Sequence, residues 1–303
     1  RDHVHSRTPP TAPARDRAML LAAAILVSTG GAAVKACAMN PWQIACLRSA
    51  IAVVAVIVLV PASRRGWSRR TFVVGAAYGA TMILFVLANK LTTAANAIFL
   101  QGTAPLYVLV LSPWLLGEKI RLRQLGFMVV LAAGMACFFI GVQAPSITAP
   151  NPALGNIFGT AVGITWALCI MGLRWLGKDS DDIGPTAAAV ACGNLMATIA
   201  AFPAAWPVAG FAVEDWAAVV FLGVFQIGVA YAFLVRGVAR VPALEASLIL
   251  LAEPVLNPLW AWLVHGEVPT AWALVGGAII LGATIAMTLS RAGKRHGESR
   301  VEI

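Results

Sequence analysis

Long apolar stretches alternate with short polar ones along almost the whole chain. A membrane-spanning helix needs about 20 mainly apolar residues, and stretches of this kind recur ten times between residues 17 and 290. The predicted segments are 17–38, 41–61, 70–90, 94–116, 121–142, 154–176, 183–206, 214–236, 242–265 and 270–290. The pattern therefore predicts an all-α integral membrane protein with ten transmembrane helices.

Composition and charge placement agree with a membrane protein. Of the 303 residues, 60% are hydrophobic and 12% are charged, whereas soluble domains have about 25% charged residues. The net charge of +9 would suit a nucleic-acid partner only if the basic residues formed a patch. With the N-terminus in the cytoplasm, they instead fall on the cytoplasmic side, as the positive-inside rule requires; the exceptions are Lys35, Arg48 and Lys90. Both termini are therefore predicted to be cytoplasmic, and no nucleic-acid partner is expected.

Two segments share a central proline and a closing Gly-Glu pair at the same interval. The matching groups are Pro105 with Gly117-Glu118, and Pro254 with Gly266-Glu267. They predict an internal repeat of five helices. Because five is odd, the second copy would enter the membrane from the opposite side, which gives two inverted five-helix repeats. Inverted repeats are typical of secondary transporters.

The repeat divides the chain into five predicted parts. A disordered cytoplasmic tail comes first, and an uncharged outer linker separates the two repeats before a basic cytoplasmic tail ends the chain. In order, these parts are 1–16, 17–142, 143–153, 154–290 and 291–303.

Glu253 lies at the middle of its segment. A carboxylate at this depth costs roughly 2.5–3.5 kcal/mol, so it should face protein or a water-filled cavity. Three roles fit: it could bind a substrate amine, carry a proton, or form hydrogen bonds inside the bundle. Pro105 and Pro254 each remove a backbone donor at mid-depth, so both are predicted hinges.

Two basic residues and two amides are further candidates. Lys35 lies near the outer end of its segment, where extension of the ammonium group to the lipid headgroups is favoured. Arg48 lies deeper and could pair with an acid or with backbone carbonyls; a carboxylate-bearing substrate is the alternative partner for both. Gln101 and Asn257 each lie one turn from a proline, where an amide can satisfy loosened backbone or contact a ligand.

Aromatic residues complete the candidate site. Helical spacing places one mixed face on the third segment, and Tyr231 is the repeat counterpart opposite Met82. Such a face could be a substrate wall or a seam between helices. Trp166 lies in the middle of its segment, where it could stack on a substrate or pack in the core. The residues of the face are Tyr78, Met82, Phe85 and Asn89.

Several motifs together resemble the EamA family of the drug/metabolite transporter superfamily. They are Pro105 with Gly117-Glu118, Glu253-Pro254 with Gly266-Glu267, Pro41 with Arg48, and Trp166-Ala167. The resemblance covers nearly all of residues 17–290 and is strongest to bacterial aromatic amino-acid exporters. It implies a ten-helix carrier with a central cavity. Ser28 and Thr29 stand where many relatives carry Trp, which implies more room or polarity on one side of that cavity.

These observations predict a multi-pass exporter in a bacterial cell inner membrane that works by alternating access. The predicted substrates are small metabolites, amino acids with aromatic or hydrophobic side chains; drugs or other metabolites, with or without proton coupling, are the alternative. An integral-membrane enzyme is disfavoured, because the 4 histidines are scattered and no catalytic or metal-binding spacing occurs. No cofactor or metal is expected. The expected partners are the substrate and membrane lipid, and the chain is expected to be a monomer or a homodimer.

Overall fold

A computed structural model describes residues 14–115, 122–142, 144–177, 182–238 and 240–298. Every regular element in these ranges is a helix, which confirms the all-α prediction. Residues 1–13 of the predicted N-terminal tail lie outside the described residues, as do Gly117 and Glu118 of the first Gly-Glu pair.

The α-helices follow one another along the chain with short connections. They are α1 (Ala14–Ser28), α2 (Gly30–Ala36), α3 (Pro41–Leu59), α4 (Arg69–Leu91), α5 (Ala94–Gln101), α6 (Ala104–Leu115), α7 (Leu122–Ile140), α8 (Pro152–Leu176), α9 (Gly184–Ala205), α10 (Val213–Phe221), α11 (Ala230–Val238), α12 (Ala243–Leu250), α13 (Ala252–His265) and α14 (Ala271–Glu298). A short 3-10 helix, Pro61–Arg64, follows α3, and a π-helix, Leu222–Val229, joins α10 to α11.

Nine helical stretches in the described residues are long and apolar enough to cross a membrane. They are Ala14–Ala36, Pro41–Leu59, Arg69–Leu91, Ala94–Leu115, Pro152–Leu176, Gly184–Ala205, Val213–Gly237, Glu245–His265 and Ala271–Leu289. A shorter apolar helix, Gln124–Ile140, lies between the fourth and fifth of them. The structure therefore supports a polytopic membrane protein with about nine spans.

Four of these spans are not continuous α-helices. The first is interrupted at Thr29, between α1 and α2, and the span from Val213 to Gly237 passes through the π-helix. The spans that contain the predicted hinge prolines are broken as well, between α5 and α6 and between α12 and α13. Pro105 and Pro254 both lie in the first turn after the break. A proline is tolerated there because first-turn N–H groups have no partner within the helix.

The halves of the chain before and after the linker interdigitate. In the first half, α4 packs against α8 and α9, and α3 packs against α9 and the π-helix. The first span lies against α11, α12 and α13, while α7 packs against α14. Side chains at the centre of the bundle are therefore contributed by both halves.

Glycines allow several of these helices to approach closely. A Cβ on Gly79 of α4 would stand 2.6 Å from the backbone oxygen of Gly193 of α9. A Cβ on Gly163 of α8 would stand 2.9 Å from the backbone oxygen of Leu100 of α5. The sequence predicts close-packing faces from small-residue spacing, and the structure confirms them. The two predicted stripes are Gly75 with Gly79, and Gly155 with Gly159 and Gly163.

Gly79→Ala should destabilise the protein by about 1–3 kcal/mol, because the added methyl group would force α4 and α9 apart. The melting temperature of the purified protein in detergent measures the change. Gly282→Ala is the matched control, since a Cβ at Gly282 meets nothing within 4 Å. Equal melting temperatures for the two variants would contradict the close approach of α4 to α9.

Candidate functional site

The first span is broken at the centre of the bundle. The hydroxyls of Ser28 and Thr29 donate to carbonyls of the preceding turn, at 2.7 and 2.6 Å. These bonds close the end of α1, and Gly30 and Gly31 begin α2 as buried residues. The break therefore brings backbone without side chains to the middle of the bundle, where neighbouring polar groups can approach it.

Arg48 of α3 brings a positive charge into this region. The residue is 1% exposed. One guanidinium nitrogen donates to the backbone oxygen of Met82 at 2.7 Å, and the guanidinium carbon lies 5.6 Å from the centroid of the Phe85 ring. Within the described residues, Nε has no hydrogen-bond partner and no carboxylate forms an ion pair with Arg48. Of the partners predicted for Arg48, the structure supplies a backbone carbonyl, that of Met82. The Nε donor of Arg48 has no partner in the described residues.

Three buried amides approach the same glycines. Asn89 of α4 and Asn257 of α13 are fully buried, and Gln226 of the π-helix is 6% exposed. A Cβ on Gly31 would stand 2.9 Å from Oδ1 of Asn89 and 2.6 Å from Oδ1 of Asn257. None of the three amide oxygens accepts a hydrogen bond from the part of the chain that the structure describes. The amide nitrogen of Asn257 also lacks a partner there, so this side chain does not satisfy loosened backbone near Pro254.

Aromatic side chains lie near Arg48 on the side toward the N-terminal end of α4, away from Asn89. Tyr78 is buried, and the half-buried Met82, Trp166 and Tyr231 pack against the hydrophobic cluster that contains it. Met82 and Phe85, which contact Arg48, therefore lie between Tyr78 and Asn89 along α4. The structure brings together Trp166, Tyr78 and Tyr231, which the sequence predicts as substrate-binding residues.

Gln101 and Glu253 mark the breaks of the two proline-containing spans. Gln101 is the last residue of α5, and Glu253 is in the first turn of α13. Both are half-buried. In the described ranges Glu253 forms no ion pair, although a carboxylate in a first turn is stabilised by the helix dipole. The predicted roles of Glu253 in amine binding and proton transfer stay predictions.

A buried ion pair closes one end of the first span. Nζ of Lys35 lies 2.7 Å from Oε1 of Glu267, and the two side chains are only 3% and 5% exposed. Nζ also donates to the backbone oxygens of Thr92, at 2.8 Å, and Thr148, while Oε2 of Glu267 accepts from the backbone N–H of Ala94 at 2.9 Å. The prediction that Lys35 extends to the lipid headgroups is wrong, because its ammonium group reaches a buried carboxylate instead.

Trp260 of α13 lies beside the break in the first span. Its indole N–H donates to the hydroxyl of Ser28 at 2.9 Å. With Thr29 and Ala32 it lines a groove of about 200 Å³ between α2 and α13. Part of the room expected around Ser28 and Thr29 is therefore taken by a tryptophan from the second half of the chain.

Gln226, Trp260 and the pairing of Glu267 were missed by sequence reasoning. A lone amide within the apolar run around Gln226 was an available signal, as was a tryptophan inside the predicted segment 242–265. Glu267 served only as a marker of the repeat, and no local pattern linked it to Lys35.

Membrane-length helices that are broken at mid-depth around buried polar side chains are characteristic of secondary transport proteins. A model of the EamA-like transporter family matches residues 17–140 and 153–289. The chain therefore belongs to the EamA-like transporter family, as the sequence motifs indicate.

Two relatives are exporters. The aromatic amino acid exporter YddG of Ancylobacter novellus is 25% identical over 231 residues, which cover 75% of this chain and 78% of that protein. The pseudopaline exporter CntI of Pseudomonas aeruginosa is 26% identical over 225 residues, which cover 73% of this chain and 74% of that protein. A solved crystal structure with 23% identity covers 91% of this chain with a TM-score of 0.56, which shows a shared fold.

Proposed function

We propose that the protein exports small zwitterionic metabolites across a bacterial inner membrane by alternating access, with aromatic and hydrophobic amino acids as its substrates. The observation that carries the proposal is Arg48, a guanidinium that is 1% exposed and has no carboxylate partner in the described residues. A substrate carboxylate would complete its hydrogen bonds and balance its charge.

The aromatic cluster beside Arg48 supports an apolar or aromatic substrate side chain. Tyr78, Tyr231 and Trp166 lie in one hydrophobic cluster, and Phe85 lies under the guanidinium group. These rings would contact the side chain of the substrate. The 25% identity to an aromatic amino acid exporter supports the same substrate class. Gln101 would contact the substrate from the break in the fourth span.

Alternating access would use two inverted five-helix repeats with both termini in the cytoplasm. The shorter helix Gln124–Ile140 would be the tenth span. The breaks before Pro105 and Pro254, in spans that correspond within the repeat, support this arrangement. Bending at the two breaks would open the central site to one side of the membrane at a time.

Export of drugs or other metabolites is the second candidate function. It is favoured by Glu253, which is half-buried and forms no ion pair in the described ranges. Such a carboxylate could bind a cation or exchange a proton. The pseudopaline exporter has a similar degree of identity to this chain, so the family resemblance alone does not select the substrate.

Counterflow in proteoliposomes tests the proposed function. Vesicles are loaded with unlabelled phenylalanine, tryptophan, threonine or a lipophilic cation, and entry of the labelled form is followed against vesicles without protein. Counterflow needs no driving force, so it reports binding and translocation whatever the coupling ion. Phenylalanine and tryptophan should exchange strongly, and threonine and the cation weakly or not at all. Exchange of the cation alone would overturn the amino-acid proposal and favour the second candidate.

A further inference from the structure

We propose that the side-chain oxygens of Asn89 and Asn257 form an acceptor seat beside Gly31, and that this seat binds the ammonium group of a zwitterionic substrate. The inference rests on the proposed function and deepens it, because it assigns the two charged groups of the substrate to different residues. Arg48 takes the carboxylate, and the acceptor seat takes the ammonium group.

The two oxygens of the acceptor seat both lie against Gly31. A Cβ built on Gly31 would stand 2.6 Å from Oδ1 of Asn257 and 2.9 Å from Oδ1 of Asn89. The two asparagines are fully buried and come from α13 and α4, in different halves of the chain. Because any residue other than glycine would place its Cβ at this point, position 31 preserves the approach of both oxygens.

The orientation of Asn89 follows from its own helix. Its Nδ2 donates to the backbone oxygen of Phe85 at 2.9 Å, which turns Oδ1 toward Gly31. That oxygen accepts no hydrogen bond from the described residues, and both side-chain polar atoms of Asn257 are unpartnered there. Buried acceptors of this kind destabilise a fold, and a ligand that donates to both would explain their position.

The chemistry of the acceptor seat selects a hydrogen-bond donor. An ammonium group has three donors and a positive charge, so its hydrogen bonds to amide oxygens are charge-assisted. A ligand with only a positive charge would be repelled by Arg48, whereas a zwitterion also brings a carboxylate for it. Phe85 links the two positions, since its ring lies 5.6 Å from the guanidinium carbon and its backbone oxygen holds Asn89. Sodium ions also bind amide and carbonyl oxygens, so the test must separate the two cations.

Competition against counterflow of labelled phenylalanine tests the acceptor seat. 3-Phenylpropionate keeps the carboxylate and lacks the ammonium group. In the wild-type protein it should compete about tenfold or more weakly than phenylalanine, because it leaves the seat unpartnered. In Asn257→Leu, which removes one of the two oxygens, phenylalanine should weaken toward the level of 3-phenylpropionate, whose own competition should be unchanged.

Further variants keep the inference testable if leucine prevents folding. Asn89→Ser and Asn257→Ser shorten the side chain but keep it polar, and each should lose part of the preference for phenylalanine. Gly31→Ala should act in the same direction, because its Cβ would displace both oxygens from their positions. Gly282→Ala, whose Cβ meets nothing within 4 Å, should keep the wild-type ratio of the two competitors. Melting temperatures are measured for all variants, since purely structural amides would change stability without changing this ratio.

The outcomes separate the acceptor seat from the proposed function. An unchanged competitor ratio in the folded Asn89 and Asn257 variants would overturn the seat alone. Failure of the wild-type protein to exchange any zwitterion would overturn both. Replacing sodium with N-methyl-D-glucamine gives a third arm. If wild-type counterflow then stops, and the variants change its sodium dependence but not the competitor ratio, the seat binds sodium and the ammonium assignment is wrong.

Discussion

Replacing Glu267 with alanine should destabilise the protein by about 3–5 kcal/mol, because it leaves the buried ammonium group of Lys35 without its carboxylate. The backbone oxygens of Thr92 and Thr148 would still accept hydrogen bonds from Nζ. Two neutral acceptors do not balance a full charge on a side chain that is only 3% exposed. The fraction of protein that stays monodisperse in detergent after heating, followed by size-exclusion chromatography, measures the loss.

Glu245→Ala is the matched control for this prediction. It removes the carboxylate from an ion pair with Arg17 whose N–O distance is 2.6 Å, but whose side chains are 41% and 34% exposed. Exposed pairs contribute about 0–1 kcal/mol, so the melting temperature should change little. The double variant Lys35→Met, Glu267→Leu removes both charges and should recover much of the stability that Glu267→Ala loses. Equal effects of Glu267→Ala and Glu245→Ala would contradict the buried pair.

Arg48→Met should weaken binding of carboxylate-bearing substrates about tenfold to a hundredfold, because it removes a charged donor from a buried site. Methionine keeps an unbranched, flexible side chain at the position. 2-Phenylethylamine, which has no carboxylate, should compete as well as before or better, since the repulsion from the guanidinium group is gone. Competition against counterflow in proteoliposomes gives both values in one assay.

Two further variants serve as comparisons for Arg48→Met. Arg48→Lys keeps the charge but loses the planar set of donors that can reach the carbonyl of Met82 and a carboxylate together, so its effect should be intermediate. Arg174→Met removes an exposed arginine near the end of α8 and should behave as the wild type. If Arg48→Met weakened all ligands equally and lowered the melting temperature, a structural role through Met82 would replace carboxylate binding.

The inward face of α4 could be predicted because it follows from local rules. Helical spacing places Tyr78, Phe85 and Asn89 on one side of the helix, whatever packs against them. The interruptions near Pro105 and Pro254 were predictable for a similar reason, since a proline carries its backbone restriction with it. Neither inference requires knowledge of the neighbouring helices.

Features that depend on distant partners could not be predicted. Lys35 and Glu267 meet because the turn between α13 and α14 lies against the end of the first span, and no residue near Lys35 in the sequence indicates this. The break at Thr29 had a signal in the two glycines that follow it. That signal is ambiguous, because glycines also mark continuous helices that pack closely.

The π-helix is a further case in which contacts with a neighbouring helix determine the backbone conformation. Apart from Gln226 its residues are apolar, and it contains no proline. Gly223 within it lies against Ile51 of α3, where an added Cβ would stand 2.6 Å from the Cβ of Ile51. A single sequence shows the glycine but not the helix that it meets, so the wider turn and the placement of Gln226 within it were not predictable.

Two of the ion pairs of the first span respond differently to ionic strength. Salt at about 0.1 M screens exposed charges over roughly 10 Å and affects buried ones much less. Arg17 and Glu245 are 41% and 34% exposed, so added salt weakens their attraction. Lys35 and Glu267, at 3% and 5%, are shielded from dissolved ions and separate only when water reaches them. Added salt can therefore weaken the ion pair at the Arg17 end of the span. The ion pair at the Lys35 end separates only when water enters.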